Sequence, residues 1–362
     1  MSNSNASIRS LEPGRDRRSI RILDQTLLPH AVETIRLETV AGAAQAISSM
    51  QVRGSNLIGV TAAFGMAFGM RADPSDAGLE KAFESLVHTR PTAVNLRWAL
   101  ERMRTLLKPL PTRSRSKAAW DEAVAMVAED VAINRAIGEN GLALFRKLLA
   151  RKKTGEPLRI MTHCNAGRIA TLDWGTATAP IYLAHQAGIP VHVWVSETRP
   201  RNQGAALTAW ELGGRGVPHT LIADNAAGHL MQQGLVDAVI VGADRVTSRG
   251  DVANKIGTYL KALAAREHRI PFYVAFVGGS VDWTIRDGVR EIPIEQRNAR
   301  ELTHIQGTAA DGRRLEVRIT PEGVVARNDG FDVTPSRLIT SLITERGTCK
   351  ANAAALKRLY RR

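Results

Sequence analysis

The sequence predicts an α/β protein in which a mainly helical N-terminal domain, residues 1–150, precedes a parallel-sheet domain, residues 151–362. Three observations carry this expectation. The chain has 362 residues, above the size at which a single core usually divides. Apolar residues recur at three and four positions through most of the first 150 residues. From Leu158 onward, short apolar runs alternate with helical segments, the pattern of βαβ units in a doubly wound sheet.

In chain order, Met1 to Pro13 reads as a polar arm without an apolar leader core, and Ser19 to Leu28 as a short strand entering a turn at Pro29. Helices are expected over Ala43 to Met50, Gly59 to Met70, Ala93 to Leu107 and Ala118 to Leu148, punctuated by Pro74, Pro91, Pro109 and Pro111. Strands follow at Leu158 to Thr162, Val191 to Val195, His219 to Ile222, Ala238 to Val241 and Phe272 to Phe276. Between them lie helical stretches at Gly175 to Gln186, Gly204 to Leu212, Ala226 to Gln233 and Ile256 to His268.

Composition narrows the function classes. Hydrophobic residues make up 44% and charged residues 23%, an ordinary globular balance. The formal charge is +14, yet aromatics total only 5% and do not interleave with the basic clusters at Arg15 to Arg18, Arg151 to Lys153 and Arg358 to Arg362. A solvated basic surface that attracts anionic metabolites therefore fits better than a nucleic-acid site. No apolar run reaches about 18 residues, so no membrane span is expected. The two cysteines, Cys164 and Cys349, are too far apart in sequence to mark a zinc site or disulfide framework, which suits a reducing cytoplasm.

Ligands of doubly wound sheets sit beyond the carboxyl ends of the strands. Those positions read His163-Cys164-Asn165, Glu197-Thr198-Arg199, Asp224-Asn225, Gly242-Ala243-Asp244-Arg245 and Gly278-Gly279-Ser280. A thiol at Cys164, beside a strand-to-helix turn, would have its pKa lowered by backbone N–H groups and a helix dipole. A buried structural cysteine is the competing explanation; Cys349 is taken as structural. Asp244 follows two small residues, and partial desolvation there would raise its pKa and suit it to general-acid work, unless it caps a helix or pairs with Arg245. Arg53-Gly54-Ser55, Arg90-Pro91-Thr92 and Asn254-Lys255 each place a cation before an expected helix, a sound arrangement for an anion. Walker A, HExxH and GxGxxG patterns are absent, so no nucleotide cofactor or metal is implied. Trp98 and Trp210 read as core residues.

Ile22-Leu23-Asp24-Gln25, Arg90-Pro91-Thr92-Ala93-Val94-Asn95, Thr162-His163-Cys164-Asn165-Ala166-Gly167, Glu197-Thr198-Arg199-Pro200, Gln203-Gly204, Leu207 to Leu212, Gly242-Ala243-Asp244-Arg245, Gly250 to Thr258 and Phe331 to Pro335 together resemble the methylthioribose-1-phosphate isomerase family. That family belongs to the superfamily that includes the regulatory subunits of initiation factor 2B. The resemblance implies a Rossmann-like second domain, a homodimer, and a metal-free aldose-to-ketose isomerisation of 5-methylthioribose 1-phosphate in methionine salvage. It matches Cys164 and Asp244 to the catalytic pair, and Arg53, Gly54, Arg90, Gln203, Asn254 and Lys255 to substrate-binding positions; Ser55 joins them as part of the same turn. The initiation-factor relatives generally lack the pair.

Two segments depart from the family pattern. Its usual Arg-Gly-Ala-Pro-Ala-Ile-Gly loop reads Arg53-Gly54-Ser55-Asn56-Leu57-Ile58-Gly59, and the segment after Ala275 reads Phe276-Val277-Gly278-Gly279-Ser280-Val281-Asp282. A 5-deoxyribose 1-phosphate, a ribose 1,5-bisphosphate, or a non-catalytic regulatory role stays open on this reading.

Overall fold

The computed structural model describes residues 8–90 and 94–361. The first seven residues of the N-terminal arm, Pro91 and Thr92 of one expected anion motif, the expected helix start at Ala93, and Arg362 lie outside the described residues.

The N-terminal region opens with a three-stranded antiparallel sheet: β1 (Leu11–Pro13), β2 (Ile20–Leu23) and β3 (Thr34–Leu37). The expected strand is thus the middle one, and part of the polar arm is itself a strand. Five helices follow: α1 (Val40–Ser48), α2 (Ser55–Ala72), α3 (Asp76–Val87), α4 (Val94–Leu107) and α5 (Thr112–Leu149). Helix α2 is buried from Leu57 through Met70 and forms the axis on which α1, α3, α4 and α5 pack. Helix α3 was not anticipated, although Leu79, Ala82, Phe83 and Leu86 keep a helical period and the Ser75 hydroxyl caps it by accepting Gly78 N–H at 3.1 Å. The first half of α5 packs into this apolar core through Ala119, Trp120, Ala123 and Met126. Its second half packs on the sheet through Ile137, Leu142 and Phe145, so one helix serves both regions.

Beyond it lie β4 (Leu158–Thr162), α6 (Ala179–Gln186), β5 (Val191–Ser196), α7 (Ala209–Gly214), β6 (His219–Ile222), α8 (Ala227–Gln232) and β7 (Ala238–Val241). Next come β8 (Arg245–Thr247), β9 (Val252–Lys255), α9 (Thr258–Glu267), β10 (Phe272–Ala275), β11 (Val281–Asp282), α10 (Gly288–Glu291) and α11 (Arg300–Thr303). The chain ends through β12 (His304–Thr308), β13 (Arg314–Arg318), β14 (Phe331–Thr334), β15 (Ser341–Thr344), β16 (Gly347–Cys349) and α12 (Ala353–Tyr360).

Seven strands form the main sheet in the order β16-β15-β10-β7-β4-β5-β6, parallel except for β16. Its central strands β7 and β10 are buried at every residue, as a sheet covered on both faces requires. The α/β class and the helical-then-parallel order match the sequence expectation. Helix α6 starts four residues later than expected because Trp174 and Gly175 hold φ at +69° and +75°, outside the helical range. A small sheet, β11-β8-β9-β14, and the exposed hairpin β12-β13 were not anticipated; their strands are short or heavily charged. Among the described residues no helix is long and apolar enough to cross a membrane.

Candidate active site

The winding of the main sheet reverses between β4 and β7. From β4 the chain proceeds outward to β5 and β6; from β7 it proceeds the other way to β10 and β15. A crevice opens at the carboxyl ends of two strands whose connections diverge in this manner. Cys164 lies two residues beyond β4, and Asp244 three beyond β7. Both line one cavity of about 1150 Å³ including its mouth, together with Arg53, Gly54, Ser55, Arg90, Gln203, Asn254 and Lys255. Every residue assigned to the catalytic pair or to substrate binding thus borders the same space, whereas the strand-end residues Glu197 to Arg199, Asp224, Asn225, Gly278 and Gly279 do not line it.

Cys164 has a left-handed backbone, φ +64°, unusual for a residue with a Cβ. Two hydroxyls hold it there: its N–H donates to Thr198 Oγ1 at 2.8 Å, and its carbonyl accepts from Thr208 Oγ1 at 2.7 Å. Burial pushes the thiol pKa up, opposed first by Arg53 and then by Lys255. This corrects the expected lowering. The segment after β4 enters a single 3₁₀ turn at Arg168–Ala170 rather than a helix, so no helix dipole meets the sulfur.

Asp244 also has its pKa raised by burial, opposed by Lys255, Arg53 and Arg90. The bland alternatives lapse: the next element is a strand, not a helix to cap, and Arg245 pairs with Asp282 at 3.5 Å. The Asp244 carboxylate raises the thiol pKa further and Glu295 raises that of Asp244, so both groups favour their protonated forms.

Cations surround the pair. Arg53 donates to Asn165 Oδ1 at 2.6 Å and to the Asn165 carbonyl at 2.7 Å. It precedes Gly54, whose φ of +97° admits glycine readily; a Cβ there would fall 2.3 Å from the Ala170 carbonyl oxygen. Ser55 opens α2 and accepts from Asn95 Nδ2 at 2.7 Å. Asn254 and Lys255 close β9 instead of preceding a helix directly, because Gly257 at φ +96° delays α9 to Thr258. Pairing with β14 fixes Lys255 opposite Phe331, with Nζ 2.8 Å from the Gly330 carbonyl and 4.5 Å from the Phe331 ring centre. Arg90 Nη2 stands 3.8 Å from Glu295. Among the described residues, Arg90 Nη1 and Gln203 Oε1 are buried with no protein partner, although both residues line the cavity. Such atoms are costly unless a ligand or water satisfies them.

Sequence reasoning missed Arg297, a further cavity-lining cation held by Glu301 at 3.1 Å, because it lies after the last strand end considered. Ile292, Pro293 and Ile294 supply an apolar wall from the same stretch. Asn165 was visible in the motif but had no assigned role. Asn56, one of the departures from the family loop, donates to Asp130 Oδ1 at 2.5 Å, and Ser280, in the other, accepts from Asn95 Nδ2 at 3.3 Å. Trp98 is not a core residue: it is 46% exposed with Arg102 across its face. Trp210 packs against a small apolar cluster with Arg168 near its ring, and Cys349 sits in β16 against the apolar cluster that includes Val239, Val241, Phe272 and Val274.

The profile of the Initiation factor 2 subunit family matches residues 51–351. The methylthioribose-1-phosphate isomerase of Brucella anthropi is 61% identical over 345 residues, 95% of each chain. That of Rhodospirillum rubrum is 59% identical over 356 residues, 97% of this chain and 91% of its own. Among solved structures, the 5-methylthioribose 1-phosphate isomerase of Pyrococcus horikoshii superposes with a TM-score of 0.84 at 37% identity, covering 100% and 99% of the two chains. A translation initiation factor 2B delta subunit from A. fulgidus gives 0.80 at 36% identity over 98% and 100%.

Proposed function

The chain belongs to the Initiation factor 2 subunit family, and on that premise we infer that it does the chemistry its 60%-identical relatives are named for. It is an aldose–ketose isomerase that converts 5-methylthioribose 1-phosphate to 5-methylthioribulose 1-phosphate, the isomerisation of methionine salvage. The observation that carries its assignment to this cavity is the Cys164–Asp244 pair at the switch point, ringed by Arg53, Arg90, Lys255 and Arg297.

A sugar phosphorylated on its anomeric oxygen cannot open to a free aldehyde until its ring oxygen is protonated. Asp244, with its pKa raised, holds a proton at higher pH than an ordinary carboxyl and supplies it to the ring oxygen. Cys164 then handles the C2 hydrogen or the charge that develops there, giving the C2 ketone by an enolate or a hydride shift. Arg53, Arg90 and Lys255 hold the phosphate, exchanging its hydration for fixed donors, and Gln203 and Asn254 contact the sugar. The unpartnered Arg90 Nη1 and Gln203 Oε1 support this, being one donor and one acceptor that await an anion bearing hydroxyls.

The working form is read as a homodimer in the cytoplasm that engages no nucleic acid; sedimentation and a gel shift at physiological salt test those points. A panel of 5-substituted ribose 1-phosphates assayed for ketose formation tests the function. The methylthio compound should win; binding without turnover of any member sinks the enzyme reading. Turnover in deuterated water separates the routes, since solvent deuterium at product carbon requires proton abstraction.

A further inference from the structure

Glu211 is fully buried in the first turn of α7, outside the cavity lining, and the chemistry above gives it no task. Its surroundings are specific. Oε1 accepts Asn165 Nδ2 at 3.0 Å and Oε2 accepts the Ile169 N–H at 3.3 Å. The loop after β4 wraps so closely around this carboxyl that a Cβ on Gly167 would fall 1.3 Å from Oε1.

A carboxamide has a donor end and an acceptor end, and a reversed one would offer N–H to the guanidinium of Arg53, donor against donor. Here both amide hydrogens of Asn165 have acceptors: Glu211 Oε1, and Thr208 Oγ1 at 3.1 Å. The Thr208 hydroxyl gives its own hydrogen to the Cys164 carbonyl, so toward Asn165 it can only accept. Asn165 Oδ1 must then face Arg53 Nη1, with the Asn165 carbonyl on Nη2. Two of the five guanidinium N–H groups are spent on this grip, and the plane of the fork is fixed beside the cavity.

We propose that Glu211 is a positioning residue that acts through Asn165 to aim Arg53 at the substrate phosphate. This rests on the reading that Arg53 binds that phosphate. Both carboxyl oxygens accept N–H groups, which suits the ionised form despite a pKa raised to about 7 by burial.

The test uses the full chain with Glu211→Gln, Arg53→Ala and the double variant. The measurements are KM and kcat for 5-methylthioribose 1-phosphate, and the inhibition constant of inorganic phosphate. A Gln can turn its own amide hydrogens toward Asn165 and release it. Glu211→Gln should therefore raise KM and weaken phosphate about tenfold or more, with kcat on the folded enzyme changed far less. In the Arg53→Ala background the same change should add almost nothing. A merely structural role would lower the folded fraction and Tm, and would act equally in both backgrounds. An unchanged KM and phosphate constant, or an equal penalty with and without Arg53, overturns the proposal. If Arg53→Ala itself leaves both constants intact, the phosphate reading fails first and carries the inference with it. Should Glu211→Gln not fold, Asn165→Ala removes the same link from the other side. It must then reproduce the KM shift and its dependence on Arg53; a normal KM overturns the proposal equally.

Discussion

The two walls of the cavity are made differently. The sheet wall carries Cys164 and Asp244 on neighbouring central strands, each displaced from its strand end by two or three residues. The helical wall carries Arg53 and Arg90 in the connections that precede α2 and α4. A strand end next to a winding reversal fixes a reacting group relative to its neighbour, because the hydrogen-bonded register leaves no room to slide. A connection before a helix fixes a cation only if something else grips it, as Asn165 grips Arg53. On the proposed roles, Cys164 and Asp244 of the sheet wall would govern the rate of conversion, and the helical wall, with Lys255, would govern the hold on the anion.

The sharpest break of that contrast comes from the sheet wall. Asp244→Asn keeps the shape and removes the proton, and kcat should fall about a hundredfold or more while KM stays near its original value. Cys164→Ala should do likewise. Near-normal turnover in either variant would remove that residue from the chemistry. On the helical wall, Arg90→Ala should raise KM by roughly ten- to a hundredfold, the worth of hydrogen bonds to a charged group, and leave kcat within a few fold. A fall in kcat with KM intact would reverse the division between the walls.

The pH dependence sharpens it further. In the proposed general-acid role Asp244 must be protonated, and its pKa is raised, so kcat/KM should decline as pH climbs through a value above the ordinary carboxyl range. An alkaline decline that persists unchanged in the residual activity of Asp244→Asn would belong to another group. The smallest effect is on stability. Asp130, on α5, has its pKa raised by burial to about 6 from the ordinary 3.8. Its folded form binds a proton more tightly than the unfolded chain, so this contribution is complete below pH 4 and is lost as pH rises through about 6, at most roughly 1.4 kcal/mol per pH unit. Tm of Asp130→Asn, followed from pH 4 to 7, should slope less steeply than that of the parent chain; identical slopes would mean that Asp130 titrates normally.

Five of the parallel strands were legible because βαβ alternation leaves a periodic imprint, and all five keep their bounds within one position. The same imprint located Cys164 and Asp244. Other features leave no periodic trace. The small sheet that seats Lys255 is built from strands of two to four residues, too short to alternate convincingly. Arg297 enters from an irregular stretch, and only its burial beside Glu301 marks it out from the other basic residues. The thiol was misjudged for a related reason: a strand followed by glycine suggests a helix start, but Cys164 and Thr198, both at positive φ, reflect a loop arranged by long-range hydroxyl contacts.

Arg53 belongs to the helical region by sequence and by its place before α2, yet its guanidinium is fastened to the loop that follows β4. It is therefore a reversible staple across the seam between two separately cored halves. A phosphate seated on Arg53 would tighten that staple, so mass action makes anion occupancy and the alignment of the halves a single equilibrium.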